Sequence, residues 1–181
     1  MAAAEPWQTA EIAGPKKAMV ITKPEVVVSM IKTAKRPILI VGSESLNIKC
    51  SSEENFMDYV IHLAKIVNIP VVATAHIVGE FVKKGFKPSA WMPLVDIANR
   101  LQDSEWKGLD GNGQYDLAVF AGFPYYMEWV VLNNLKHFAP NLKTITLDRY
   151  YQPNASWSFP NLSVDNWSQN LQAIIEKLGG K

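Results

Sequence analysis

The sequence predicts an α/β protein with a doubly wound, mostly parallel sheet. Short, continuous apolar runs recur along the chain, and such runs are typical of strands buried on both faces of a parallel sheet. Segments between these runs repeat their apolar residues at helical spacing. Helices and buried strands alternate from residue 22 onward, which favours right-handed crossovers on both faces of one sheet.

The first predicted helix runs from residue 22 to about residue 36. Thr22 and Glu25 have the spacing of a capping box, and Pro37 ends the helix because proline disfavours helical backbone in the residue before it. The β-branched run at 38–41 follows as the first buried strand.

The second predicted helix begins at the capping-box segment 51–54, and its apolar stripe continues to Val67. The run at 69–74 is the second buried strand, since a proline is tolerated at a strand's first positions. Two short helices are predicted next, at 77–83 and 92–101.

The second half of the chain repeats the alternation. Apolar runs predict strands at 115–121 and 142–147, with a short strand at 156–159. Apolar repeats at helical spacing predict helices at 125–138 and 163–178.

The chain divides into an N-terminal extended arm, residues 1–21, and a single α/β domain, residues 22–181. Pro6 and Pro15 interrupt any long helix in the arm. The arm has few apolar residues to offset its ordering entropy, so we expect it to be mobile alone up to Val20 and ordered on a partner.

Composition excludes several classes of protein. The formal net charge of +1 lacks the basic excess of a nucleic-acid or anionic-membrane surface. No run of 18 apolar residues is present, so no membrane-spanning helix is predicted. The single cysteine, Cys50, excludes an internal disulfide and indicates a reducing, cytoplasmic location. One cysteine and three scattered histidines predict no metal site, because an iron–sulfur cluster normally takes four cysteines.

Candidate ligand-binding residues lie where the predicted strands end, since open parallel sheets bind ligands beyond the carboxyl ends of their strands. The predicted cofactor-binding residues are Gly42, Ser43, Thr74, Gly122 and Asp148. The glycines would let a ligand approach the backbone, and the acid could accept ribose hydroxyls.

Plainer interpretations of these residues stay open. Glycine at a strand end also serves simple turns, and Asp148 beside Arg149 fits a solvated surface pair. The chain has no G-x-G-x-x-G or P-loop motif and no G-x-S-x-G signature, so no catalytic residue is predicted. Several tryptophans lie outside the periodic stripes and fit either an interaction surface or satellite core: Trp7, Trp91, Trp106 and Trp157.

Two segments carry a resemblance to a known family. TAEIAGPKKAMVITKPEVVVSMIKTAKRPILIVGSE and the later LDRYYQPNAS resemble the epsilon subunit of the archaeal acetyl-CoA decarbonylase/synthase (carbon monoxide dehydrogenase) complex, and the resemblance spans about residues 9–178. It implies a Rossmann-like fold similar to the nucleotide-binding domain of deoxyhypusine synthase, with a six-stranded parallel sheet in the order 3-2-1-4-5-6.

The resemblance also implies a role. The nickel and iron–sulfur centres would belong to a separate catalytic (alpha) subunit, and two catalytic and two epsilon subunits would form the carbon monoxide dehydrogenase component. The epsilon subunit would stabilise its partner or take part in electron transfer to FAD. The five strand-end residues are a separate prediction of an FAD-facing site, because they match no family motif. Three functions therefore stand: a docking subunit, a flavin- or nucleotide-binding electron-transfer module, or a stand-alone α/β enzyme.

Overall fold

A computed structural model describes residues 16–50 and 55–179, which form one sheet of seven parallel strands with helices on both faces. The strands are β1 Met19–Val20, β2 Pro37–Val41, β3 Val71–Ala73, β4 Ala90–Trp91, β5 Leu117–Ala121, β6 Lys143–Thr146 and β7 Trp157–Ser158. The α-helices are α1 Pro24–Thr33, α2 Phe56–Val67, α3 Val78–Lys83, α4 Leu94–Gln102, α5 Tyr125–Phe138 and α6 Val164–Gly179.

The strand order is β1-β7-β6-β5-β2-β3-β4, with every neighbouring pair parallel. When β2 to β7 are renumbered 1 to 6 and the sheet is read from β4, the order is 3-2-1-4-5-6, as expected. β1 lies beyond β7. The predicted doubly wound parallel sheet is therefore confirmed, but the count of six strands is one too low. From β2, the chain adds β3 and β4 toward one edge of the sheet. It then returns to the opposite flank of β2, where β5, β6 and β7 follow in order. The switch in strand order lies between β2 and β5.

Two apolar cores cover the two faces of the sheet. In β2, Leu39 and Val41 join the core formed with α1, α2 and α6, whereas Ile38 and Ile40 join the core formed with α4 and α5. All four side chains are fully buried. This two-sided burial is the reason that the strand reads as a continuous apolar run.

The helix starts differ in detail from their predicted caps. Lys23, not Thr22, precedes α1, and no side chain caps that helix. Glu25 instead pairs with Lys177 at 3.0 Å, so the predicted capping box is wrong. The predicted start of α2 at 51–54 lies outside the described residues, and the Asn55 side chain caps that helix by accepting a hydrogen bond from the Asp58 amide at 3.0 Å.

The last residues of the predicted arm form β1, which is the strand beyond the expected six. The amides of Met19 and Ile21 donate to the carbonyls of Ser156 and Ser158 at 3.0 and 2.8 Å. The Tyr151 hydroxyl donates to the Ala18 carbonyl at 2.7 Å. For residues 16–21, this pairing corrects the expectation of an arm that is ordered only on a partner; residues 1–15, including Trp7, lie outside the described residues.

Within the described part of the chain, no helix combines the length and the hydropathy needed to cross a bilayer.

Candidate functional site

The two strand-end glycines approach each other rather than an open space. A Cβ atom at Gly42 would lie 2.3 Å from the Gly122 carbonyl oxygen and 2.4 Å from the Phe123 ring. Gly122 has a φ of +74°, and a Cβ atom there would lie 2.6 Å from the Ser45 amide nitrogen. Both positions therefore require glycine for packing within the chain, and valine at Gly122 would disturb folding as well as any ligand.

A turn of 3₁₀ helix at Ser43–Leu46 occupies the switch between β2 and β5. The Glu44 amide donates to the Gly122 carbonyl at 2.9 Å, and the Ser45 hydroxyl donates to the Gly42 carbonyl at 2.7 Å. Ser45 is fully buried, whereas Ser43 is half-buried at the start of the turn. The usual ligand crevice of an open parallel sheet is thus closed here by the protein's own backbone.

Thr74 follows β3 at the same edge of the sheet. Its amide donates to the Val41 carbonyl at 3.0 Å, next to Gly42. Its hydroxyl is buried and has no hydrogen-bond partner among the described residues. The structure therefore brings all five predicted residues to one edge, but the first four do not line an open cavity. Their predicted role in binding a cofactor stays a prediction.

Asp148 acts as an anchor for the glycine turn after β5. Its carboxylate accepts hydrogen bonds from the Gly122 amide at 2.9 and 3.1 Å and from the Phe123 amide at 3.4 Å. Burial raises the pKa of Asp148 to about 6, although these amide donors act in the opposite direction. A solvated surface pair with Arg149 does not describe this buried residue, because the Arg149 guanidinium donates to the Leu162 carbonyl at 3.1 Å.

Glu128 on α5 is the functional candidate that sequence reasoning missed. It is fully buried against Asp148, and the two residues are called the acid pair below. Burial and, secondarily, the charge of Asp148 raise the pKa of Glu128 well above its ordinary value. The Gln152 side-chain amide donates to Glu128 Oε2 at 3.2 Å. A sequence signal existed, since Glu128 shares a helical stripe with the buried residues Val131, Leu132 and Leu135.

An open cavity of about 390 Å³ lies beside the acid pair, at the carboxyl ends of β5 and β6. This volume is within the range of small-ligand sites. Its lining combines aromatic, aliphatic and charged residues: Glu44, Ile48, Lys49, Phe123, Pro124, Tyr125, Glu128, Asp148, Arg149, Tyr150, Gln152, Val164 and Trp167. Asp148 is the member of the predicted set that lines it.

A wider depression of about 490 Å³ lies at the opposite edge, near the amino ends of β2 and β3. It contains the ion pair between Arg36 and Asp110, with the guanidinium 5.2 Å from the centre of the Tyr115 ring. We place the candidate site at the carboxyl-end cavity, because that edge carries the buried acid pair. Among residues 16–50 and 55–179, no group of three or more His, Cys, Asp or Glu residues is arranged to hold a metal ion.

Several apolar side chains are exposed around this cavity. Tyr125, Tyr150 and Val164 line it, and the first two turns of α5 add Tyr126, Met127 and Val130. We call these six residues the docking face. Of the tryptophans left open by the sequence, Trp106 and Trp157 pack against the two cores, whereas Trp91 is 66 % exposed on the edge strand β4.

Comparisons with known proteins point to one family. The profile of the family described as CO dehydrogenase beta subunit/acetyl-CoA synthase epsilon subunit matches residues 1–175. A protein of Methanothermobacter thermautotrophicus named acetyl-CoA decarbonylase/synthase complex subunit epsilon is 38 % identical over 169 residues, 93 % of each chain. Subunit epsilon 1 of Archaeoglobus fulgidus is 40 % identical over 86 % of this chain and 83 % of that protein. Subunit epsilon of Methanothrix soehngenii is 38 % identical over 94 % and 89 %.

Proposed function

The chain belongs to the CO dehydrogenase beta subunit/acetyl-CoA synthase epsilon subunit family, and from this we propose that it is an accessory subunit of an acetyl-CoA decarbonylase/synthase complex. In this proposal it contains no metal centre of its own, docks on the metal-bearing catalytic (alpha) subunit and stabilises that subunit. Two copies of each would form a heterotetramer, and the complex would work in the cytoplasm.

The docking face is the observation that carries this proposal. Tyr126 is 70 % exposed and Val130 58 % exposed, one helical turn apart on α5. Exposed aromatic side chains are enriched at protein interfaces, where they supply a large apolar area at a small entropic cost. Tyr125, Tyr150 and Val164 also line one cavity, and apolar exposure concentrated in this way favours an interaction surface over scattered surface exposure.

The composition supports the same role. The single cysteine supplies too few ligands for an iron–sulfur cluster, so the redox centres of such a complex would have to lie in another chain.

The test compares a double alanine variant with a single one in binding to the purified catalytic subunit. Tyr126→Ala with Val130→Ala should weaken binding by tenfold or more, measured by analytical ultracentrifugation, because both side chains lose apolar contact area. Val82→Ala on α3 is the matched control, since Val82 is 60 % exposed but lies outside the docking face.

A second experiment tests the stabilising role. The half-life of the catalytic subunit's CO oxidation activity on heating should lengthen when the wild-type chain is added. An unchanged half-life would contradict the stabilising role.

A second candidate is a flavin-binding electron-transfer module. The predicted residues do not form an open cradle for FAD, because the spaces at Gly42 and Gly122 are occupied by the protein's own atoms. The neighbouring cavity supports this candidate better: Tyr125 and Tyr150 offer aromatic surfaces for a ring, and Lys49 and Arg149 offer positive charge for phosphates. FAD would supply an electron carrier there.

Flavin fluorescence titration of the isolated chain tests this second candidate. Tyr150→Ala should weaken FAD binding by about tenfold, and Asp148→Ala should cost about 1–3 kcal/mol of binding if that residue accepts ribose hydroxyls. The absence of FAD binding to the wild-type chain would leave the docking role alone.

A further inference from the structure

The floor of the carboxyl-end cavity contains two oxygen atoms without hydrogen-bond partners. Glu128 Oε1 and Gln152 Oε1 are both buried, and neither has a hydrogen-bond partner among the described residues. Buried polar atoms are normally paired, because an unpaired one costs the free energy of removing it from water. Both residues line the cavity, so a donor that enters it can bind the Gln152 oxygen and, once Glu128 has lost its proton, the Glu128 carboxylate.

The floor is also acidic, although the cavity lining includes two basic side chains, Lys49 and Arg149. Among the ion pairs of residues 16–50 and 55–179, none involves Glu128 or Asp148. Glu44 adds a further negative charge that acts on Asp148. The Arg149 guanidinium is held at the rim, 4.1 Å from the centre of the Tyr150 ring, where it donates to a backbone carbonyl. With Glu128 protonated, the acid pair carries one negative charge instead of two.

The rim is suited to a cation from another protein. Tyr125 is 37 % exposed and its aromatic face attracts cations, whereas Arg149 already covers one face of the Tyr150 ring. Three residues of the docking face, Tyr125, Tyr150 and Val164, line the cavity, so a protein that covers them also covers the cavity. Arginine presents five N–H donors in a planar fork, which suits the unpaired Gln152 oxygen together with the carboxylates of the acid pair.

We propose that, in the docked complex, the cavity receives a cationic side chain of the partner subunit, arginine or lysine, and that its entry releases the proton of the acid pair. The inference rests on the proposed docking function. The Glu128 carboxyl group loses its proton to solvent as the cation enters, so the net charge inside the cavity stays the same. The other titratable groups that line the cavity are Glu44 and Lys49 after β2, Tyr125 on α5, and Arg149 and Tyr150 after β6; α6 contributes the uncharged Val164 and Trp167.

The experiment measures binding of the full chain to the purified catalytic subunit by titration calorimetry between pH 6.5 and 8.5. Release of one proton makes the affinity rise by up to tenfold per pH unit. The same measurement in two buffers of different ionisation enthalpy gives the number of protons released, which should approach one. In a chain labelled with ¹³C at its carboxyl groups, the Glu128 resonance should move to the carboxylate position when the partner binds.

Glu128→Gln is the decisive variant, because glutamine keeps the size of the side chain and has no proton to lose. It should still dock, but without proton release and with an affinity that no longer rises with pH. Exposed Glu105→Gln is the matched control and should behave as the wild type. Docking that releases no proton in the wild type, or releases it equally in Glu128→Gln, overturns this inference and leaves the proposed function standing. FAD that occupies the cavity of the docked complex also overturns it. A chain that does not bind the catalytic subunit at any pH overturns both.

Discussion

Asp148→Asn should remove the loss of stability that the wild-type protein undergoes when the pH rises and Asp148 loses its proton. Burial raises the pKa of Asp148 from its ordinary 3.8 to about 6. The folded protein therefore holds this proton more tightly than the unfolded chain does. The stability associated with that proton is fully present below pH 4 and is lost as the pH rises toward 6.

The magnitude follows from the difference between the two pKa values. A difference of about two in pKa corresponds to about 3 kcal/mol in the free energy of unfolding. At pH 4, the variant should be less stable than the wild type by about 1–2 kcal/mol, because an amide is a poorer acceptor for the Gly122 and Phe123 amides than a carboxyl oxygen pair. Between pH 4 and pH 7, the variant should gain about 3 kcal/mol relative to the wild type.

Urea unfolding at half-unit intervals from pH 4 to pH 7 measures this relative gain. Exposed Asp165→Asn on α6 is the control for the removal of a carboxylate. A difference between wild type and Asp148→Asn that stays constant across this range would refute the reasoning, because it would mean that the carboxyl group titrates alike in the folded and unfolded chains.

Two further predictions concern packing. Gly42→Ala should destabilise the protein by about 1–3 kcal/mol, since its Cβ would lie 2.3 Å from a backbone oxygen, whereas Gly79→Ala in α3, where nothing lies within 4 Å, should stabilise it by about 0.5–1 kcal/mol. Thermal unfolding of both variants compares them, and equal effects would contradict the described packing. Tyr151→Phe leaves the Ala18 carbonyl without its donor and should cost about 1–2 kcal/mol. Hydrogen exchange should then accelerate first at Met19 of β1; unchanged protection there would show that the hydroxyl does not hold the strand.

The long elements of the fold were predictable because their side chains follow simple periods. The range 125–138 matches α5 residue for residue, and the buried run of β2 reads directly as a central strand. The strands β1 and β4 were not predicted. Each has two residues, and Met19 and Trp91 are largely exposed, so their pairing depends on backbone contacts with distant segments and leaves no apolar pattern in the sequence.

The site was predictable in its position more than in its chemistry. Gly42 and Gly122 do lie at the carboxyl edge, as strand-end glycines should. The turn after β2 occupies the space between these two glycines. This contact depends on how two loops 80 residues apart meet, and the sequence does not show it. The acid pair depends in the same way on a helix residue, Glu128, that faces a loop residue, Asp148.

The edge strand β1 has a consequence for the order in which this protein assembles. Ala18 and its anchor Tyr151 are 133 positions apart in the chain. During synthesis, the segment that becomes β1 leaves the ribosome before the other strands and can pair with β7 only after residues 157–158 have followed. Closing so long a loop is entropically costly and slow, so the central pairs β2–β5 and β2–β3 have the shorter search and β1 joins last. The edge of the sheet then completes only in a chain whose final third is already in place, and a nascent or truncated chain presents β1 unpaired.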